Sequence, residues 1–506
     1  MIRSSLSLGF CFIASLAAAA ELDPWFGDGM VLQREQPIRI IGKAQPNSQV
    51  TVRLGEQTAL AKTDGTGRWE QTFTPRTANS QPTTLTVQEA GRPDVSVRDI
   101  LMGDVWVCAG QSNMEFPLSR DAEAKQELAN ANLPLIRLRN YSFAGQYRSA
   151  APLDATTVAR MTVANFYAGR WEPCTPKAAA PMSAVGYYFA KRVAADTGVP
   201  IALVNYAVGG APIEAFISRE ALARSAVFRK KVTGNWLSNE SIEGSFVRLR
   251  AQQNLSGAKD VPSDDCGPNH GFKPGFAWAA GPAQATHFAI KGVLWYQGES
   301  NAIRQEDIAE YGVLMKLLVA DWRRHWHQAD LPFYWVQLPS INEPARQFWP
   351  EFREVQRQLT TEITSSGMAV ALDVGTPKDV HPRNKRPVGE RLAALALRDL
   401  YGRKDLIAEG PVAIDARQAG KTIRVRFRSA DGLTLVGPSI PLVETRQKGT
   451  ANFKAARGMR VEGNELVVEA DGLVVEIRYA WHMNAAAALR NGTGLPAGPF
   501  VLKVSE

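Results

Sequence analysis

Residues 104–114 read Asp-Val-Trp-Val-Cys-Ala-Gly-Gln-Ser-Asn-Met. The run Asp104–Ala109 is apolar after its first residue and too short for a helix, as in a strand covered on both faces. Four more runs of that kind follow at Ile201–Tyr206, Gly292–Tyr296, Phe333–Leu338 and Met368–Val374. Between them lie amphipathic stretches such as Val185–Ala195, which stops at Gly198 and Pro200, and Ile308–Trp326. Short apolar strands alternating with helices predict an α/β fold, a three-layer α/β/α domain with a five-stranded parallel sheet over residues 101–403.

The flanks read differently. Residues 21–100 show short alternating runs, Gln49–Leu54 and Thr84–Val87, broken by Pro46-Asn47 and Asp64-Gly65. They predict a small β-sandwich-like module. Residues 404–506 return to β pattern at Thr422–Phe427, Glu465–Ala470 and Leu473–Tyr479. This second β-module ends in an Ala-, Asn- and Gly-rich stretch, Tyr479 to Phe500, expected to pack back on the α/β domain.

At the other end, Arg3 precedes an apolar stretch from Leu6 to Ala20, and about fifteen such residues are too few to span a bilayer comfortably. Residues 1–20 therefore read as a signal peptide cleaved near Ala20, and the mature chain as secreted or periplasmic. Bulky Phe10 speaks against a lipid anchor at Cys11. No later segment is apolar for long enough to cross a membrane. The formal charge of +8 is spread along the chain rather than clustered, which speaks against nucleic acid. Three cysteines follow the leader. Cys108 sits in an apolar strand and reads as a buried thiol, while Cys174 and Cys266 lie in loop-like sequence where export permits a disulfide.

In open α/β sheets chemistry gathers at the carboxyl ends of the strands. The first strand runs into Gly110-Gln111-Ser112-Asn113-Met114, and a serine after a strand and a glycine can be a nucleophile at a helix N-terminus. Serine is equally a preferred N-cap, and Met114 stands where a Gly-x-Ser-x-Gly elbow has its second glycine. The second strand leads to Gly209-Gly210, whose amides can approach a ligand closely, although an ordinary tight turn has the same sequence. The third ends Gln297-Gly298-Glu299-Ser300-Asn301, a polar cluster able to donate to an oxyanion and to orient a substrate. The fifth leads to Asp379-Val380-His381, a candidate general base with a neighbouring carboxylate. His325 and His327 are two apart on a helical stretch and face different ways, which argues against shared metal ligation.

Together the blocks Val105–Phe116, Ala207–Phe216, Lys291–Asn301 and Asp379–Leu392 resemble the sialate O-acetylesterase family of SGNH (GDSL-like) hydrolases, in that family's order. Asp379, read from its position beside His381, is the candidate orienter. The resemblance implies Ser112 as nucleophile, His381 as base, and the backbone of Ser112 and Gly210 in the oxyanion hole. Gln297 is the first choice for a side-chain donor there, with Asn301 its rival, and Glu299 is a candidate for substrate binding. The chemistry so implied is acyl transfer from an O-acetylated carbohydrate, needing no metal and no organic cofactor. Two departures stand out. Lys378 occupies the place, three before the histidine, where many SGNH enzymes have the aspartate, and Gly271 to Phe288 matches the family pattern poorly. The name points to O-acetylated sialic acid, while the leader and β-modules equally suit acetylated plant polysaccharide such as xyloglucan or xylan. A non-catalytic carbohydrate-binding protein is the rival class, favoured by two β-modules and 12 Trp.

Overall fold

The computed structural model describes residues 20–437 and 442–506. The leader read at residues 1–20 lies, except for Ala20, outside the described residues.

The central strand, β1 (Val95–Gly110), is 16 residues long and belongs to two layers at once. Its first half pairs antiparallel with Asn79–Glu89 and parallel with Val31–Gln33 of the N-terminal module. Its second half lies between two parallel strands, Ile201–Asn205 and Gly292–Tyr296. The change of partners occurs at Gly103, where a Cβ would stand 2.0 Å from the carbonyl oxygen of Pro200. A boundary near residue 100 thus cuts through a continuous strand. Across the junction the buried carboxylate of Asp104 accepts from Gln33 Nε2 at 2.8 Å and from Arg34 Nε at 3.0 Å.

The strands after β1 are β2 (Leu133–Asn140), β3 (Trp171–Cys174), β4 (Ile201–Asn205), β5 (Gly292–Tyr296), β6 (Phe333–Val336) and β7 (Ser366–Ala369). They stand in the order β3-β2-β4-β1-β5-β6-β7. All neighbours are parallel except β3, which closes the edge antiparallel to β2. The parallel part therefore has six strands, not the expected five. The strand missed is β2, whose Arg137 and Arg139 disguise it as surface sequence although both are buried. Arg139 donates to the carbonyls of Trp25 and Pro24 and lies over the rings of Trp25, Tyr141 and Trp171. Arg137 pairs with Asp99 at 3.0 Å. The last expected strand is also shorter, because after β7 the chain turns through a short 3₁₀ segment at Leu372–Val374.

Helices cover both faces. α1 (Ser112–Glu115) follows β1; α2 (Ala184–Thr197) starts at Ser183, whose hydroxyl accepts the Gly186 amide, and ends at Gly198 with φ +69°. α3 (Gln305–Trp326), α4 (Trp349–Glu362) and α5 (Arg386–Leu400) complete the layers. Adjacent residues of β6 show the sides: Tyr334 bonds to Asp399 on α5, whereas Trp335 bonds to the Gln356 carbonyl on α4. Since successive side chains of a strand point oppositely, α4 and α5 lie on opposite faces.

Eight strands between Val412 and Ser505 form one sheet with its own core, beside a two-stranded pairing of Thr434–Leu435 with Leu489–Arg490. The stretch after Tyr479 is bonded to α4. Arg353, fully buried on α4, donates to the carbonyls of Leu338 and Pro339 on one side and of His482 and Met483 on the other. Cys174 and Cys266 are both free thiols, so the expected disulfide is not formed. Cys174 ends β3, whereas Cys266 sits in a separate turn with its Sγ against the Val232 carbonyl.

Candidate active site

The strand order reverses direction around β1, and the crevice at such a switch point is where α/β sheets bind ligands. Gly110, the last residue of β1, has φ +130°, and a Cβ there would lie 2.2 Å from the Tyr296 carbonyl oxygen. This close packing on β5 turns the chain sharply into α1, whose first residue is Ser112. Gln111 locks the turn: its Oε1 accepts from Gln297 Nε2 at 3.2 Å and from the amides of Gly298 and Ser300, each at 3.3 Å.

His381 comes from the loop between β7 and α5. Its Nε2 lies 2.8 Å from Ser112 Oγ, across 269 residues of chain. Burial holds the imidazole below its ordinary pKa, and the ammonium of Lys385 adds to the effect, with Asp379 opposing. The ring is therefore a neutral acceptor for the serine proton at neutral pH.

Asp379 is placed differently from a triad aspartate. Its Oδ1 accepts the backbone N–H of His381 at 2.8 Å and is 3.7 Å from the ring Nδ1, with 54% of the side chain exposed. The cause is local: a carboxylate two residues before an amide closes an Asx turn with it. The Asp379 carboxylate thus shapes the loop and sits beside the ring without taking the ring hydrogen bond.

The side-chain donors chosen from sequence are also placed differently. Gln297 is fully buried and its Nε2 points to Asn301 Oδ1 at 2.7 Å and to Gln111. Asn301 in turn donates to Glu214 at 3.0 Å and accepts from the Ile213 amide. Both amides are engaged inside the scaffold below the serine, and neither lines the cavity above it. Glu299 does line that cavity, yet its Oε1 accepts from Asn113 Nδ2 at 2.5 Å, so it holds the protein before any substrate. Burial raises the Glu299 carboxyl above its usual range.

Asn113 was not singled out from sequence. Its Nδ2 bonds to Glu299 and to the Val380 carbonyl, and its Oδ1 accepts from Lys385 Nζ. Lys385 is buried against the rings of Phe116 and Tyr296, and burial brings its pKa down to about 7. Gly210 has φ +85°, and its carbonyl accepts the Ser300 hydroxyl at 2.9 Å. Among the described residues no protein acceptor engages its amide. The opening over these groups is a cavity of about 510 Å³, walled by Ser112, His381, Gly209, Gly210, Arg250 and Phe272. Phe272 belongs to the segment that departs from the family pattern, and Arg250 carried no sequence signal.

A hydroxyl on a neutral imidazole at a strand-to-helix turn, beneath a cavity with a free amide, is equipped for acyl transfer. Residues 278–398 match the model of the family described as carbohydrate esterase, sialic acid-specific acetylesterase, a span that includes Glu299 and His381 but not Ser112. A crystal structure of a carbohydrate acetylesterase from Xanthomonas citri superposes with a TM-score of 0.76 at 30% identity, covering 96% of this chain and 99% of that one. The chain belongs to the sialate O-acetylesterase family. Sialate O-acetylesterase of Mus musculus is 26% identical over 100% of this chain and 96% of its own length. That of Homo sapiens is 25% identical, over 95% and 92%. In this sialate O-acetylesterase-family member, an acetylesterase-class hydrolase, three sequence blocks far apart in the chain meet at the side chain of Asn113.

Proposed function

We propose that the protein removes O-acetyl groups from carbohydrates through an acetyl-enzyme on Ser112. The observation that carries the reading is the 2.8 Å separation of Ser112 Oγ and His381 Nε2 at the floor of the cavity. His381 takes the hydroxyl proton as Oγ attacks the acetyl carbonyl. The Ser112 and Gly210 amides stabilise the developing oxyanion, an interaction worth most in a site closed to water. His381 then returns the proton to the departing sugar oxygen, and water repeats the cycle on the acetyl group. Asp379 supports the imidazolium by charge at 3.7 Å rather than by a ring hydrogen bond. Release of acetate from p-nitrophenyl acetate tests the chemistry, and its absence would leave a carbohydrate-binding protein.

The sugar is an O-acetylated sialic acid in preference to a neutral plant polysaccharide. Arg120 and Arg250 line the cavity, and among the described residues neither forms a salt bridge to a carboxylate, so the wall suits an anionic sugar. Comparing acetate release from acetylated sialosides, xylan and xyloglucan tests this; preference for the neutral polymers would overturn it. Export rests on the leader alone, and sequencing the amino terminus of the exported protein tests it.

A further inference from the structure

Glu115 is the last residue of α1, three positions after Ser112 and so on the same side of the helix. Its side chain lines the catalytic cavity while the residue is 6% exposed. No salt bridge to it is formed among the described residues. Gln146 Nε2 donates to its Oε1 at 2.9 Å, and the Gly209 backbone lies against the same carboxylate and favours its ionised form. The fit on Gly209 is tight: a Cβ there would stand 2.4 Å from Oε2 and 3.7 Å from Ser112 Cβ. The next residue is Gly210, whose carbonyl is held from the other side by Ser300.

From this geometry we infer that Glu115 is a positioning residue for the oxyanion hole: its carboxylate fixes the Gly209–Gly210 turn against the nucleophile helix, so that the Gly210 amide faces the acyl oxygen. The inference rests on the reading of Ser112 and Gly210 above and goes beyond it by assigning the group that holds them in register. A turn of paired glycines has wide conformational freedom. An oxyanion donor is useful only if it is already aimed. An ionised carboxylate accepts two N–H donors at once, whereas the protonated acid has become a donor itself. The groups facing it are the Gln146 side chain, the Gly209 amide, Arg120, Tyr147 and Tyr167. Burial, partly offset by Gln146 and the Gly209 backbone, brings the Glu115 carboxyl up to about 7. The accepting form is therefore lost as pH falls through neutrality, before His381, whose pKa is held below its ordinary value, is protonated.

The test uses the full chain and p-nitrophenyl acetate across pH, with circular dichroism for folding. Wild-type kcat should show two ionisations on its acid limb. Glu115→Gln should lower kcat about tenfold to a hundredfold with KM little changed, and leave one ionisation. Gln146→Leu, which keeps the carboxyl but removes one donor, should move the upper ionisation to higher pH, and it reads the same property should Glu115→Gln fail to fold. A wild-type chain without activity would sink both this inference and the functional reading. An active wild type alongside a folded Glu115→Gln with kcat within twofold and both ionisations intact would overturn this inference alone, as would an unmoved profile in Gln146→Leu.

Discussion

The side-chain amide of Asn113 donates to the carbonyl oxygen of Val380 at 2.9 Å, which ties the residue after the nucleophile to the residue before the base. Ser112 and His381 thus meet through backbone and side-chain constraint as well as through their own 2.8 Å contact. Glu299 and Lys385 complete the clamp on Asn113. A buried polar network of this kind is stable when its members are mutually satisfied and fragile when one is removed.

Ser112→Ala should fold as wild type and lose nearly all turnover, on the order of 10⁶ for a nucleophile acting with its base as a unit. The neighbouring Ser300 cannot substitute, because its hydroxyl is committed to the Gly210 carbonyl. Single-turnover acetate release checks this, and retention of a tenth of wild-type turnover would refute the assignment.

Asn113→Ala should strand the Val380 carbonyl, the Glu299 carboxylate and the Lys385 ammonium together. A destabilisation of about 1–3 kcal/mol follows from the unsatisfied buried groups. Turnover should fall more than KM rises, since the substitution loosens His381 rather than the cavity wall. Urea unfolding and steady-state kinetics measure the two effects.

Asp379→Asn should lower turnover by about an order of magnitude, not the roughly 10⁴ seen where an aspartate holds the ring N–H. Because Asp379 raises the His381 pKa, its loss should also shift the lower ionisation of the acid limb to lower pH. A pH–rate profile decides, and a loss of three or more orders of magnitude would restore a full triad.

Lys385→Met should move the acid limb the other way. Lys385 is the foremost charge lowering the His381 pKa, so without it the imidazole binds its proton more readily and the lower ionisation of the acid limb moves to higher pH. In acid the wild-type ammonium is charged, because its pKa of about 7 lies above that range. An acid limb that stays in place would show that the charge does not reach the ring.

The sequence by itself determined which strands are central and what they carry at their ends. A strand buried on both faces must be apolar throughout, so the polar blocks at Gly110–Met114 and Gln297–Asn301 stand out at its end. The first of those blocks located the serine, and the ends of the second and fifth strands located the glycine turn and the histidine. It did not reveal β2, because Arg137 and Arg139 are buried only by carbonyls, rings and an aspartate brought in by the N-terminal module and by β3. Nor could it say which amides face the cavity. Gln111, Gln297 and Asn301 have the same donors and acceptors on paper, and only packing beneath the serine decides that they bond to one another. The role of Asp379 was likewise decided by the path of its loop, since one carboxylate oxygen can close a turn on the backbone instead of holding the ring. Hydrophobic pattern is a local property of the chain; the direction of a hydrogen bond depends on what the rest of the chain places within about 3 Å of it.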